Sequence, residues 1–248
     1  MNSVDLWLAT AMGAKPRFPR APSWDNSITR RRFAARFPEL HTIQLPFDPK
    51  LASMWADLRD FSLAADAAIA THTKIPAKSF TNISELVPYR LFSVRYSTSS
   101  LLELVRLSMA AYVKTILIRT KGVGPKMVFL ATELRDAILL HSRTCSPSQY
   151  PFLFWAVSMA AISIFEDCEE DWLRTTLTAV ISSLGLQTWL DARNVLGNFL
   201  WTDAFHSVEG KQLFEQCLQK TFTEGADGWN PPCCDRAQDI GRHGRNNF

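Results

Sequence analysis

One stretch constrains the fold more than any other: Tyr150 to Phe165, which reads YPFLFWAVSMAAISIF. A helix that buries one face carries polar residues on the other. Here the only polar side chains after Pro151 are Ser158 and Ser163. The stretch has 16 residues, short of the ~20 that a membrane span needs. Pro151 sits where a first helical turn tolerates proline, and Glu166, Asp167, Glu169 and Glu170 follow the far end. The expectation is a central helix surrounded by other helices.

The rest of the chain supplies candidates for that surround. Asp48 is an N-cap with Pro49 just inside. Leu51, Met54, Trp55, Leu58, Phe61 and Ala65 then repeat at helical spacing to about Thr71. A helix begins near Thr81 or Asn82, with Pro88 predicting a kink or break. Ser97-Thr98-Ser99 opens a largely apolar helix with Glu103 in its first turn, a sign that suits the helix dipole. Lys121-Gly122-Val123-Gly124-Pro125 stops it. Further helices are expected over Met127–Leu140, Trp172–Leu184 (stopped by Gly185) and Thr188–Leu200, with a last one from Asp203 or Ser207. No segment alternates with period two. The fold class is therefore all-α, a single domain of about seven to nine helices over residues 45–224. Residues 1–44 form a basic, Pro-containing arm, and 225–248 a tail whose Gly, Pro, Asn and Arg content predicts disorder.

Charge and cysteine usage exclude some functions. The net charge of +3 is too small to indicate nucleic-acid binding by itself. The basic residues are unevenly spread, however: Lys15, Arg17, Arg20, Arg30, Arg31, Arg32 and Arg36 face only Asp25 over the same stretch, and the tightest group is Arg30, Arg31, Arg32 and Arg36. These are the candidate nuclear-import or phosphate-contacting segment, against the simpler reading of a solvated face. No secretory signal precedes the first helices. The cysteines, Cys145, Cys168, Cys217, Cys233 and Cys234, are dispersed and odd in number, which fits reduced intracellular thiols.

No catalytic constellation emerges. There is no nucleophile elbow, phosphate-binding loop or dinucleotide fingerprint. His141 and Cys145 share a helix end, but two ligands do not make a zinc site. Asp203 and His206 share a turn without a nucleophile or oxyanion group beside them. No catalytic, cofactor or metal residue is assigned, and the expectation is a protein that is not an enzyme.

A family resemblance rests on the order of several motifs. They are Leu45-Pro46-Phe47-Asp48, Leu58-Arg59-Asp60, Tyr89-Arg90-Leu91, Leu101 to Leu107, Phe152 to Phe165 with Trp172, and Phe199-Leu200-Trp201-x-Asp203 with Gly210, Leu213 and Phe214. Over residues 45–220 this resembles the C-terminal regulatory region of fungal-specific Zn2Cys6 transcription factors. The resemblance implies an all-helical regulatory domain in the nucleus. It would act on transcription through a protein partner or a homodimer, with DNA contacted only indirectly or weakly and no membrane. The family's C-x-x-C-x6-C zinc motif has no counterpart, since no cysteine precedes Cys145. Zinc and direct DNA reading are therefore not carried over. The alternative is a helical small-molecule sensor, with Trp155, Phe165, Trp172, Trp189 and Trp201 lining a pocket.

Overall fold

The computed structural model describes residues 48–75, 77–117, 127–165 and 171–223, with 32, 35–38, 40, 44 and 45 before them. Among the described residues every regular element is helical and there is no strand, as the spacing of apolar residues requires. The α-helices are α1 (Pro49–Ala70), α2 (Ala77–Thr81), α3 (Val87–Ser93), α4 (Leu101–Leu117), α5 (Val128–Thr144), α6 (Tyr150–Ser163), α7 (Asp171–Ser183), α8 (Trp189–Gly197) and α9 (Asp203–Thr223). The expectations for the 1–31 arm, the 121–125 stop, the acidic residues 166–170 and the 225–248 tail lie outside the described residues.

α6 is the predicted centre. It packs against α4, α5, α7, α8 and α9. Phe152 through Ala161 are all buried, as is Ser163. Ser158 and Ser163 do not break the apolar surround, because Ser163 Oγ returns its proton to the Met159 carbonyl at 2.6 Å. Trp155 stands at the middle, edge-on to Trp55 with centroids 5.4 Å apart and stacked on Phe199 at 5.8 Å. Among the described residues, no helix is long and apolar enough to cross a membrane.

Local signals explain several helix ends. Asp48 Oδ1 accepts from the backbone N–H groups of Lys50 at 2.8 Å and Leu51 at 3.0 Å. Thr188 and Asp191 form a reciprocal capping box at the start of α8. Gly185 takes φ +63°. Its N–H and that of Leu186 satisfy the carbonyls of Ser182 and Ile181 at 3.1 and 3.2 Å, closing α7 in a Schellman turn.

Three details sharpen or correct the expectations. Pro88 marks the expected break. The chain passes through a π-helical turn, Asn82–Leu86, and restarts with Pro88 in the first turn of α3, where its missing N–H costs nothing. α8 stops at Gly197 rather than Leu200, because the carbonyls of Gly197, Phe199 and Leu200 find side-chain donors elsewhere. Glu103 stands in the first turn of α4 as expected, but it does not face solvent. It is buried beside Arg106.

Gly210 has a packing reason. A Cβ there would stand 2.7 Å from Trp201 Cη2 and 3.0 Å from Trp189 Cη2. The bare backbone of α9 lets the two indoles, 6.2 Å apart, pack over it.

Candidate functional site

Polar side chains gather in three places. The first is the connector between α8 and α9, held down mainly by α1. Arg59 Nη1 donates to the Gly197 carbonyl at 3.1 Å and also to that of Phe199. Trp155 Nε1 donates to the Leu200 carbonyl at 2.8 Å. Beneath the connector runs a chain of hydroxyls. Ser62 Oγ gives its proton to the Leu58 carbonyl at 2.9 Å. It therefore accepts from the Tyr112 hydroxyl, which in turn accepts from Thr202 Oγ1 at 3.1 Å. Burial pushes the Tyr112 hydroxyl up to about 12, so it stays protonated and able to donate.

His206 closes this cluster. Its Nδ1 accepts from the Thr202 N–H at 3.1 Å. That assigns the proton to Nε2, which faces Thr115 Oγ1 at 2.7 Å. Thr115 Oγ1 passes its own proton to the Tyr112 carbonyl at 2.6 Å. The imidazole is 0 % exposed, lying against the rings of Trp201 and Tyr112. With both nitrogens used and no solvent access, it braces α9 against α4.

The second gathering is at the surface, around Asp203. Its carboxylate accepts from Arg193 Nε at 2.9 Å, from Arg193 Nη2, from Trp201 Nε1 at 3.1 Å and from Ser207 Oγ at 2.7 Å. Arg193 foremost, with Ser207 and Trp201, holds this carboxyl below its usual range, against a partial burial that raises it. Asp66 on α1 receives the Asp203 backbone N–H but faces the Asp203 charge, and burial with that repulsion pushes it up. Asp203 and His206 thus share a turn and point to different partners.

The signs of these two shifts give a pH prediction. A depressed carboxyl stabilises the fold above its unfolded value of about 3.9, and the contribution is lost as pH falls through the lower folded value. The raised Asp66 acts oppositely, its penalty at neutral pH being relieved by acid. Asp203→Asn is therefore expected to lower the melting temperature at pH 7, with the gap to wild type narrowing as the pH falls below the unfolded carboxyl value of about 3.9. Thermal unfolding followed by circular dichroism across pH checks this, and a gap that is constant with pH would contradict it.

The third gathering lines a cavity of about 270 Å³ between the start of α4 and α5. Its walls are Thr98, Ser99, Glu103, Leu107, Glu133, Asp136, Ala137 and Leu140. Glu103 is fixed there by a bidentate pair with Arg106, at 2.8 Å from Nε and 2.6 Å from Nη2, and by the Tyr96 N–H at 3.1 Å. Asp136 and Ala137 lie three and four residues after Glu133, and Leu140 lies four and three after them, so all four share one face of α5.

Sequence-selected residues fall as follows. Arg36 pairs with Asp60 of α1 and lies 5.3 Å from the Phe37 ring centroid. Arg32 is exposed, and Arg30 and Arg31 lie outside the described residues. His141 turns inward, its ring meeting the Ser100 carbonyl and its Nε2 finding no partner, while Cys145 caps α5 through its N–H. Burial pushes the imidazole of His141 down and the thiol of Cys145 up. Among the described residues, no three His, Cys, Asp or Glu side chains converge as metal ligands.

The five aromatic residues selected as pocket walls belong to separate contacts. Trp155 is in the core, Phe165 and Trp172 meet edge-on at 5.2 Å, and Trp189 meets Trp201. The hydroxyl chain had a faint sequence signal, since Ser62 occupies an inward position of the α1 pattern and a buried hydroxyl needs a partner. The cavity had none, because its walls come from two helices and a turn. Compared with known proteins, the chain matches no family model, no curated protein and no solved structure.

Proposed function

We propose that this chain is a helical transcription-regulatory module acting in the nucleus through contact with a protein partner. One observation supports the reading: several of the short motifs that carry the resemblance to fungal Zn2Cys6 regulatory regions supply hydrogen bonds or ion pairs that cross the fold. Asp48 receives the Tyr96 hydroxyl at 2.9 Å. Arg90 pairs with Asp57, and Arg106 holds Glu103 while donating to the Leu91 carbonyl at 3.1 Å. Trp155 reaches the connector ahead of Trp201 and Asp203. Motifs far apart in sequence thus specify one scaffold, as expected for a domain whose function is to present a surface. DNA reading would then be supplied by the partner.

The test is a tagged full-length chain followed in cells. Nuclear accumulation and co-purification with transcriptional regulators are expected. A wholly cytosolic protein with no such partner would overturn the proposal. The alternative, reception of a small molecule, is favoured by a different observation, the cavity between α4 and α5, and not by the aromatic residues first selected for it.

A further inference from the structure

The α4–α5 cavity combines three properties. Its floor is apolar, from Leu107, Ala137 and Leu140, and Leu140 is among the large apolar side chains left exposed. Two of its carboxylates, Glu133 and Asp136, make no hydrogen bond or ion pair among the described residues. The third, Glu103, is only 2 % exposed. Arg106 and the Tyr96 N–H fix its orientation, so this wall is rigid before any ligand arrives.

Beside the cavity, His141 follows Leu140 in sequence and its ring bonds the carbonyl of Ser100, the residue after Ser99. The histidine thus ties the turn to α5 where Ser99 and Leu140 form opposite parts of the wall. Its Nε2 is buried with no partner, a cost the fold carries at this place.

From this arrangement we infer that the cavity binds a short aliphatic amine. Its ammonium would lie between Glu133 and Asp136, its carbon chain on Leu107, Ala137 and Leu140, and a second polar end at the Thr98 and Ser99 hydroxyls. The volume of about 270 Å³ lies near the lower end of ligand pockets, which suits a molecule of a few carbons rather than a nucleotide. The carboxylates repel anions and the apolar floor disfavours a bare hydrated metal ion. The inference rests on the ligand-receiving reading of the cavity and not on the transcriptional one.

Calorimetric titration of the full chain with 1,4-diaminobutane tests it, with 1,4-butanediol as the uncharged match in shape and magnesium chloride at equal ionic strength. The diamine is expected to bind saturably, with a dissociation constant below about 1 mM, and the diol and magnesium are not. Glu133→Gln and Asp136→Asn, both on the outer side of α5, should each weaken binding about fivefold or more at an unchanged melting temperature. Absence of saturable binding, equal binding of diol or magnesium, or unaltered affinity in both variants would overturn the inference. Localisation and partner capture do not enter these readouts, so the two readings fail separately.

Discussion

Arg106→Ala is expected to destabilise the protein by about 3–5 kcal/mol, the usual cost of removing one member of a buried ion pair. Arg106 and Glu103 are each 2 % exposed at the side chain. Removing the guanidinium leaves the Glu103 carboxylate buried with the Tyr96 N–H, and leaves the Leu91 carbonyl without its donor. The pair itself is not a large net source of stability, because desolvation offsets most of its attraction. The cost comes from the charge left behind. Glu103→Leu combined with Arg106→Met should therefore recover part of the loss. Full recovery is not expected, since Tyr96 N–H and the Leu91 carbonyl stay unpaired. Urea unfolding of the three forms gives the comparison. A double variant no better than Arg106→Ala would show that the pair contributes more than the absence of a penalty.

Trp155→Ala should cost a similar amount, about 3–5 kcal/mol for truncating a large core aromatic, with about 1–3 kcal/mol more for the orphaned Leu200 carbonyl. The indole contacts the rings of Trp55, Phe152 and Phe199 and joins α6 to the α8–α9 connector. Trp155→Phe separates the two parts, retaining most of the apolar area while removing the donor. It should show a much smaller loss than Trp155→Ala. If phenylalanine is as damaging as alanine, the hydrogen bond to Leu200 outweighs the packing, which would reverse the order argued here. Thermal and urea unfolding both read the difference.

Arg106 and Trp155 also show how much of the fold was legible. Trp155 lies in a run whose lack of any polar face required a central, surrounded helix, and the surround is observed on five sides. Two caps were equally legible: Asp48 and Gly185 act through atoms two or three residues away, so sequence spacing carries the information. Glu103 shows the limit of that reasoning. In a helix, a first-turn acid suits the dipole whether exposed or buried, and nothing in the spacing separates the two. Its burial depends on Tyr96 and on the loop before α4.

The same limit applies to the candidate sites. Asp203 and His206 looked like one pair in sequence and became two unrelated roles. One carboxylate faces Arg193 at the surface, while one imidazole is enclosed by Thr115, Thr202, Tyr112 and Trp201. Ser62, Tyr112, Thr115 and Thr202 come from two helices and a connector, so their chain of hydrogen bonds has no sequence spacing to betray it. The cavity of Glu133 and Asp136 exists because α5 and the turn before α4 do not close on each other.

By itself the sequence determined the all-helical class, the positions of several helix ends and the identity of the central helix. These follow from local interactions: apolar residues recur at the helical period, and caps satisfy backbone groups within a turn. The tertiary structure decided which charges are buried, which histidine is a brace and where a ligand-sized space remains. Those outcomes depend on side chains separated by tens of residues meeting in a low-dielectric interior, where pairing or its absence is worth several kcal/mol. No local pattern records such meetings.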